Sequence, residues 1–538
     1  MKLVFLGASR EVTGSKYLLE VNNKNYLIDC GMVQGPEIYE KQPMPVKATD
    51  IEAVFLTHSH IDHSGMLPAL VKEGFRGKIY STKPSKALCK IMLLDSANIQ
   101  EFEAEWKNRK AKRGGNDIYQ PIYDTEDAIK TMKHFEGCDY NTDITISDDI
   151  TIKFIDAGHL LGSSSIVIKA IESAKTITIA FSGDIGNINK PIIKNPNFID
   201  KADYVVMEST YGDRKHGLDH DYVAQLTKII ARTFERGGNV VIPSFAVGRT
   251  QELLYYMRKI KETNNLSKFG NFKVYLDSPL AIEATKIFER GFVNCFDKET
   301  IDLIEKGINP LSFPGLITSV TADESKAINA DREPKVIISA SGMCEAGRIR
   351  HHLKHNLWRP ECTIVFAGYQ VAGTLGRIIL DGANRVKLFN EEIEINAEII
   401  ELSGTSSHAD IDGLLEWAMA ISPKPKHIFV THGEESVSEY FSDQLFEEAR
   451  LHSSVPYNGE IWDLLTFEKL YEGSKLRTFK NNIRQATTGR RNYTLYDELL
   501  STLGELSVVV RNNKGVANRE LRELIKDIKT INDKWKDR

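Results

Sequence analysis

The sequence has no apolar run approaching the roughly 20 residues that span a bilayer, so it offers no membrane-crossing helix. Its opening residues, MKLVFLGASREVTGSKYLLE, lack the features of a secretory leader. The apolar run stops at Leu6 and no small-residue cleavage site follows. Cysteine is scarce, with Cys30, Cys89, Cys138, Cys295, Cys344 and Cys362 scattered over 538 residues and no CxxC among them. That excludes a zinc ribbon and a dithiol redox motif, and with no export signal it predicts a reducing cytoplasm. No low-complexity segment and no internal repeat beyond ordinary strand-helix units is visible.

A strong charge of one sign is also missing. The net charge is −5, which excludes a chain coated uniformly for nucleic acid. Its distribution is uneven: from Ser474 to Arg538 there are 15 Lys and Arg against 8 Asp and Glu, leaving −12 on the rest. This basic tail contains ANRELRELIKDIKTINDKWK, where Leu521, Leu524, Ile525, Ile528 and Trp535 fall on one helical face. Such a face is most often a docking face against the chain's own body.

With 41% hydrophobic and 27% charged residues, what remains is a globular chain with a real core, long enough for two or three domains. The first 200 residues alternate short β-rich runs with turns: KLVFLGA, SKYLLEV, KNYLIDCG and IEAVFLTH, then ITIKFIDAGH, SSSIVIKAI, KTITIAFSGDIG and YVVMEST. A long helix is expected from Lys86 to about Arg113. From Tyr211 the rhythm changes to repeated strand-turn-helix units, NVVIPSFAVGRTQELL, FKVYLDSPLAIEATKIF and PKVIISASGMCEAGRIRHHLKH, which predict a parallel sheet. After about Thr374 the β-rich style returns, so the α/β unit reads as an insertion. The expected segments are 1–208, 209–374, 375–465 and a basic, mainly helical extension over 466–538.

Histidine is rare too, 14 in the whole chain, yet three of the 14 stand in LTHSHIDHSG with an aspartate between them. A lone histidine is usually a satisfied polar residue. A chance HxHxDH in a chain of this composition is on the order of 10⁻³, which favours a metal site. His58 and His60 follow a strand two residues apart and face one side; Asp62 and His63 turn toward a second point. Imidazole with carboxylate suits zinc, or manganese with more oxygen. One loop cannot close two metal sites, so further ligands are expected at other strand ends. FIDAGH supplies His159, and FSGD supplies Asp184, placed to bridge two ions. Asp29, in YLIDCG, is expected to support the ligand loop from behind.

HxHxDH, GH and SGD together resemble the signature of the metallo-β-lactamase fold, an αββα sandwich with a dinuclear site on one edge. Glu208 in VVMESTYGD, His408 in SGTSSHAD and His432 in FVTHGE resemble motifs A, B and C of its nucleic-acid-processing β-CASP branch. IPSFAVGRTQELL, YLDSPLA, SASGMCEAGR and FAGYQVAGTLGR resemble that branch's inserted domain, and the resemblance covers about residues 1–460. It is nearest to the cleavage and polyadenylation endonuclease subunit and its short prokaryotic homologues. Histidine as motif C is similar to the RNA-directed members.

The resemblance implies a zinc-dependent ribonuclease acting on single-stranded RNA, an endonuclease by expectation. His58, His60 and His159 would hold one ion and Asp62, His63 and His432 the other, with Asp184 between. Asp62 would also orient the attacking water, and His408, hydrogen-bonded to Glu208, would protonate the leaving oxygen. Arg249, Ser341, Gly342 and Ser406 lie at strand-to-helix turns and are expected near phosphate. His351, His352 and His355 are expected to form a basic surface. RNA is the implied partner and no membrane is; a homodimer is carried as an expectation. The alternatives are a small-molecule hydrolase of the same fold, a 5′ exoribonuclease of the ribonuclease J type, and a non-catalytic subunit. The full ligand set counts against the last.

Overall fold

A computed structural model describes residues 1–34, 42–114, 118–216, 221–371, 373–402 and 406–476, together with 522, 525, 526 and 529. Met1–Thr478 form one compact unit and Phe479–Arg538 a second. The amphipathic face expected in the tail lies outside the described residues except for Ile525, whose side chain is exposed.

Two sheets, built from the first 207 residues and from the segment 427–471, face each other. One runs, in spatial order, Glu468–Tyr471, Ile461–Asp463, Lys2–Gly7, Lys16–Val21, Lys24–Ile28, Ile51–Phe55, Lys78–Thr82 and Phe135–Cys138. The other runs Ser453–Ser454, His427–Val430, Tyr204–Met207, Lys175–Phe181, Ser164–Glu172, Ile150–Asp156 and Ile144–Ser147. Period-two alternation turns Phe5, Tyr17, Phe55, Phe154, Ile166, Ile168, Phe181 and Phe429 into one shared core between them. The opposite faces carry helices: Leu67–Lys72, Lys83–Gly114 and Thr125–Thr131 on one side, Ile411–Met419 and Glu435–Ala449 on the other. This is the expected αββα sandwich. All six cysteines are buried free thiols.

The expected long helix is present and begins three residues earlier than the sequence suggested, at Lys83. The expected helix in SGMLPALVKEGF is Leu67–Lys72, and a separate short helix, Ile61–Ser64, precedes it. That break keeps the ligand loop a turn of its own.

The inserted unit is a parallel sheet in the order Leu316–Thr318, Val274–Leu276, Val336–Ser339, Val240–Pro243, Thr363–Phe366 and Glu398–Glu401. Near-continuous apolar strands such as VVIP and VIIS fit a sheet buried on both faces. The last strand is a correction. The return of the β-rich style after Thr374 places Glu398–Glu401 with the flanking sandwich, but the strand pairs with Thr363–Phe366 of the inserted sheet. The hairpin Arg385–Leu388 and Glu391–Glu394 also packs there, through Val386 and Leu388. Short strands after a helix read alike in either sheet, so the pattern could not choose between them. One face of the inserted sheet shares its core with Leu160 and Leu161, next to His159. The insertion is therefore packed against a loop of the candidate site.

Candidate metal centre and its surroundings

Every strand that delivers a candidate ligand ends at one edge of the sandwich. Lys175–Phe181, Tyr204–Met207 and His427–Val430 are mutually parallel, and Ile150–Asp156 runs the same way through two antiparallel steps. In the facing sheet Lys24–Ile28 and Ile51–Phe55 are parallel. So Asp29, His58, His159, Asp184, Glu208 and His432, each just past a strand end, converge across hundreds of residues.

The backbone holds the ligand loop closely. Ser15 and Cys30 N–H donate to the carbonyls of Asp62 and His63 at 2.8 Å, and Met32 N–H to Ile61 at 2.9 Å. Gly31 passes so near that a Cβ there would lie 1.7 Å from the Asp62 carbonyl oxygen. Asp29 and His432 adopt left-handed backbone, φ 56° and 49°, a conformation non-glycine residues hold only where surroundings enforce it.

Among the described residues three groups of donors result, one of them Asp184 with Glu208 and His408. His58, His60, His159 and Asp184 offer atoms within 4.8 Å of one another, as do Asp62, His63 and His432. Asp184 stands between them. Its Oδ2 lies 3.3 Å from His58 Nε2 and 3.5 Å from His159 Nε2; its Oδ1 lies 3.2 Å from His63 Nε2 and 3.6 Å from His432 Nε2. Asp62 Oδ2 is 3.5 Å from His432 Nε2. Asp184 Oδ1 is buried and accepts no hydrogen bond. Facing imidazole nitrogens around an unsatisfied buried carboxylate oxygen fit divalent cations better than hydrogen bonding.

Electrostatics agrees with that donor set. Burial, with His63 adding repulsion, lowers the His58 pKa to about 3. Burial likewise lowers His60 and takes His159 well below the ordinary value. Neutral imidazoles are the form that donates a lone pair. Burial opposes charge on Asp184, but His432, His63 and His58 outweigh it and hold the carboxyl well below the usual range. Asp62 is lowered for the same reason, with His432 and His63 overcoming burial.

The outer nitrogens are also held. His63 Nδ1 meets Asp29 Oδ2 at 2.7 Å, and Asp29 also accepts from the Thr57 N–H and hydroxyl. His159 Nδ1 donates to the Ser407 carbonyl at 3.2 Å, and His432 Nδ1 contacts the Thr210 hydroxyl at 3.1 Å. Such partners fix tautomer and ring orientation. Thr57, Thr210 and Ser407 escaped the sequence reading. Their only signal is adjacency to a motif residue.

Glu208 is fully buried, and both its oxygens lie 3.1 Å from His408 Nδ1. Ile185 N–H donates to Glu208 Oε1, so the carboxylate is aimed. Burial pulls the His408 pKa down, but Glu208 and Asp184 raise it to about 9. The other face of the ring, Nε2, lies 4.0 Å from Asp184 Oδ2. A protonated imidazole beside the metal-facing carboxylate is placed to give up a proton there.

The remaining expected residues divide. Ser406 Oγ accepts from the His408 N–H at 3.1 Å, at the site itself. Arg249 is buried with its guanidinium paired to Glu252, which also meets Lys190. Ser341 and Gly342 lie on the turn after Val336–Ser339, where Ser341 bonds Ala346. His352 is a correction. It is fully buried, with Nε2 2.6 Å from Asp277 Oδ2, and so forms no part of a basic surface. Asp277, just past Val274–Leu276, drew the imidazole inward, where it packs on the sheet.

Residues 18–201 match the model of a metallo-beta-lactamase superfamily domain, 250–379 that of the Beta-Casp domain, and 392–456 that of a Zn-dependent metallo-hydrolase RNA specificity domain. Ribonuclease TTHA0252 of Thermus thermophilus is 35% identical over 436 residues, covering 81% of this chain and 94% of that protein. The RNase J-like protein of Methanocaldococcus jannaschii is 31% identical over 469 residues, covering 85% and 99%. Transcription termination factor FttA of the same organism is 31% identical over 474 residues, covering 85% and 71%. With this fold, these strand-end side chains and these matches, the chain belongs to the β-CASP ribonuclease family of the metallo-β-lactamase superfamily.

Proposed function

We propose that the chain hydrolyses phosphodiester bonds of single-stranded RNA, internally, at a site holding two zinc ions. The observation that carries this is Asp184, whose two oxygens each face a separate pair of imidazoles while the His408–Glu208 pair stands alongside. His58, His60 and His159 would hold one ion, Asp62, His63 and His432 the other, and Asp184 would be shared. Bound there, divalent ions supply Lewis-acid stabilisation of phosphate charge and a more acidic water. Asp62, less enclosed than Asp184, keeps an oxygen to orient the attacking water. His408 donates its proton to the departing 3′ oxygen, and Glu208 holds the ring in line and favours its protonated form. Asp29 steadies His63 from behind.

Choice of RNA rests on the RNA specificity domain match over 392–456 and on relatives named as ribonucleases. The same match counts against a small-molecule hydrolase. One relative is named RNase J-like, which keeps a 5′ exonuclease as the second reading. The test is incubation of metal-loaded protein with 5′-labelled linear RNA and with circular RNA. Cleavage of the circle is expected. An intact circle beside digested linear RNA would transfer the assignment to the exonuclease. Intact RNA beside hydrolysis of a small ester or thioester would end the ribonuclease reading.

A further inference from the structure

Two exposed rings flank one turn of the inserted sheet. Val240–Pro243 lies between Val336–Ser339 and Thr363–Phe366, so the turns after these three parallel strands are neighbours. The first carries Phe245, the second Ser341 and Gly342, the third Tyr369. Phe245 is 42% exposed and Tyr369 44%, while Ser244, Ala367 and Gln370 around them are buried. Large rings left in solvent by a buried frame need a reason.

That frame is rigid. Ser244 N–H donates to the Ser339 carbonyl at 3.0 Å, and the Phe245 carbonyl accepts from the Thr250 hydroxyl at 2.7 Å. The buried Gln370 amide donates to the Gly342 and Gly368 carbonyls at 3.1 Å, tying the Tyr369 turn to the Gly342 turn. The Phe245 ring lies against Gly342: a Cβ there would stand 2.9–3.1 Å from three ring carbons. Glycine at 342 is what allows the ring to lie over the turn.

The turn that carries Phe245 also packs against the loop that follows His159. The Phe245 turn runs on into Gly248, where a Cβ would lie 3.1 Å from a methyl of Leu160, the residue after His159. Tyr211 has its ring centroid 6.2 Å from His408. The Arg214 guanidinium carbon lies 5.7 Å from the Tyr211 ring centroid. Exposed rings on a fixed turn suit a nucleic-acid strand, whose unpaired bases stack on aromatic faces.

We propose that Phe245 and Tyr369 are base-stacking residues that hold unpaired nucleotides beside the scissile bond. The proposal rests on the ribonuclease reading and names what enforces single-strandedness: a base already stacked in a duplex cannot also lie on these rings. Gly342 then serves the ring, and Arg249, committed to Glu252, is not needed to hold the base.

The test uses the full chain and a single-stranded oligoribonucleotide with one cleavage position. A matched series carries one abasic ribose at each position around the cut. Affinity is read by fluorescence anisotropy in a His408→Ala background, and kcat/KM in the otherwise native chain. Removing the stacked base should weaken binding about 5- to 150-fold at one or two positions and little elsewhere. Phe245→Leu and Tyr369→Leu should show a comparable loss on intact RNA and no further loss on the matching abasic RNA. Phe245→Tyr and Tyr369→Phe, which keep a ring, should restore binding. Equal losses on intact and abasic RNA, or none on either, would overturn the stacking role while leaving the ribonuclease reading in place. Wild-type protein that neither binds nor cuts RNA would remove both.

Discussion

His408 and Glu208 sit 200 positions apart yet are in contact, and a buried carboxylate beside an imidazole stabilises its protonated form. His408→Ala should lower kcat about 10²- to 10⁴-fold with little change in thermal midpoint, measured by RNA cleavage and by differential scanning fluorimetry. Glu208→Gln should retain the ring's position but remove the anion. The alkaline limb of its pH–rate profile should then move to lower pH than in the wild type; an unmoved limb would show that Glu208 does not set the acid's pKa. Asp29 offers a separate test, since it touches His63 rather than an ion. Asp29→Ala should weaken zinc affinity about 10- to 100-fold in a chelator competition. At this scale the metal-facing histidines and aspartates were legible because their clustering is improbable in a histidine-poor chain. His352 was misread because a histidine's partner, here Asp277, lies 75 positions away.

Each element that matters ends at a site. The parallel strands deliver side chains to one edge, and the same logic works inside the insertion, where Val274–Leu276 delivers Asp277. That carboxylate is fully buried and accepts from Ser325 and Arg348 besides His352, at 2.6 to 2.7 Å. Asp277→Ala should cost about 3–5 kcal/mol in urea unfolding, because Arg348 would lose its counter-charge and the buried His352 and Ser325 their hydrogen-bond partner. Burial opposes ionisation of Asp277, but its three partners hold the pKa below the ordinary carboxyl value. A carboxyl depressed in the folded state stabilises above its unfolded pKa and loses that contribution as pH falls through the folded one. The stability gap between wild type and Asp277→Asn should therefore be constant above about pH 5 and shrink below about pH 4. A gap independent of pH down to acid unfolding would contradict it. Strands and their order of appearance were readable from period-two and apolar runs. The membership of Glu398–Glu401 was not, because a four-residue strand carries no mark of the sheet it joins.

For the molecule as a whole, the donors come from both faces of the sandwich. His58 to His63 stand on one sheet; His159, Asp184 and His432 on the other. Metal bound between the sheets would tie them together, and a ligand that binds only the folded state stabilises it. Removing metal with a chelator should lower the thermal midpoint and abolish RNA cleavage, and added zinc should restore both. In Asp184→Asn zinc should raise the midpoint far less. An equal rise in that variant would place the metal elsewhere.

The sequence by itself determined the chemistry available: an HxHxDH loop, further histidines and an aspartate at strand ends, and an insertion built of strand-turn-helix units. These are local facts, set by residue type and spacing within a few positions. Only the tertiary structure decided which oxygen of Asp184 faces which histidines, that Glu208 is buried, that Arg249 is held by Glu252, and that Phe245 and Tyr369 stand exposed around Gly342. Those depend on the direction and register in which distant strands pair, and pairing across hundreds of residues leaves no trace in any short window of sequence.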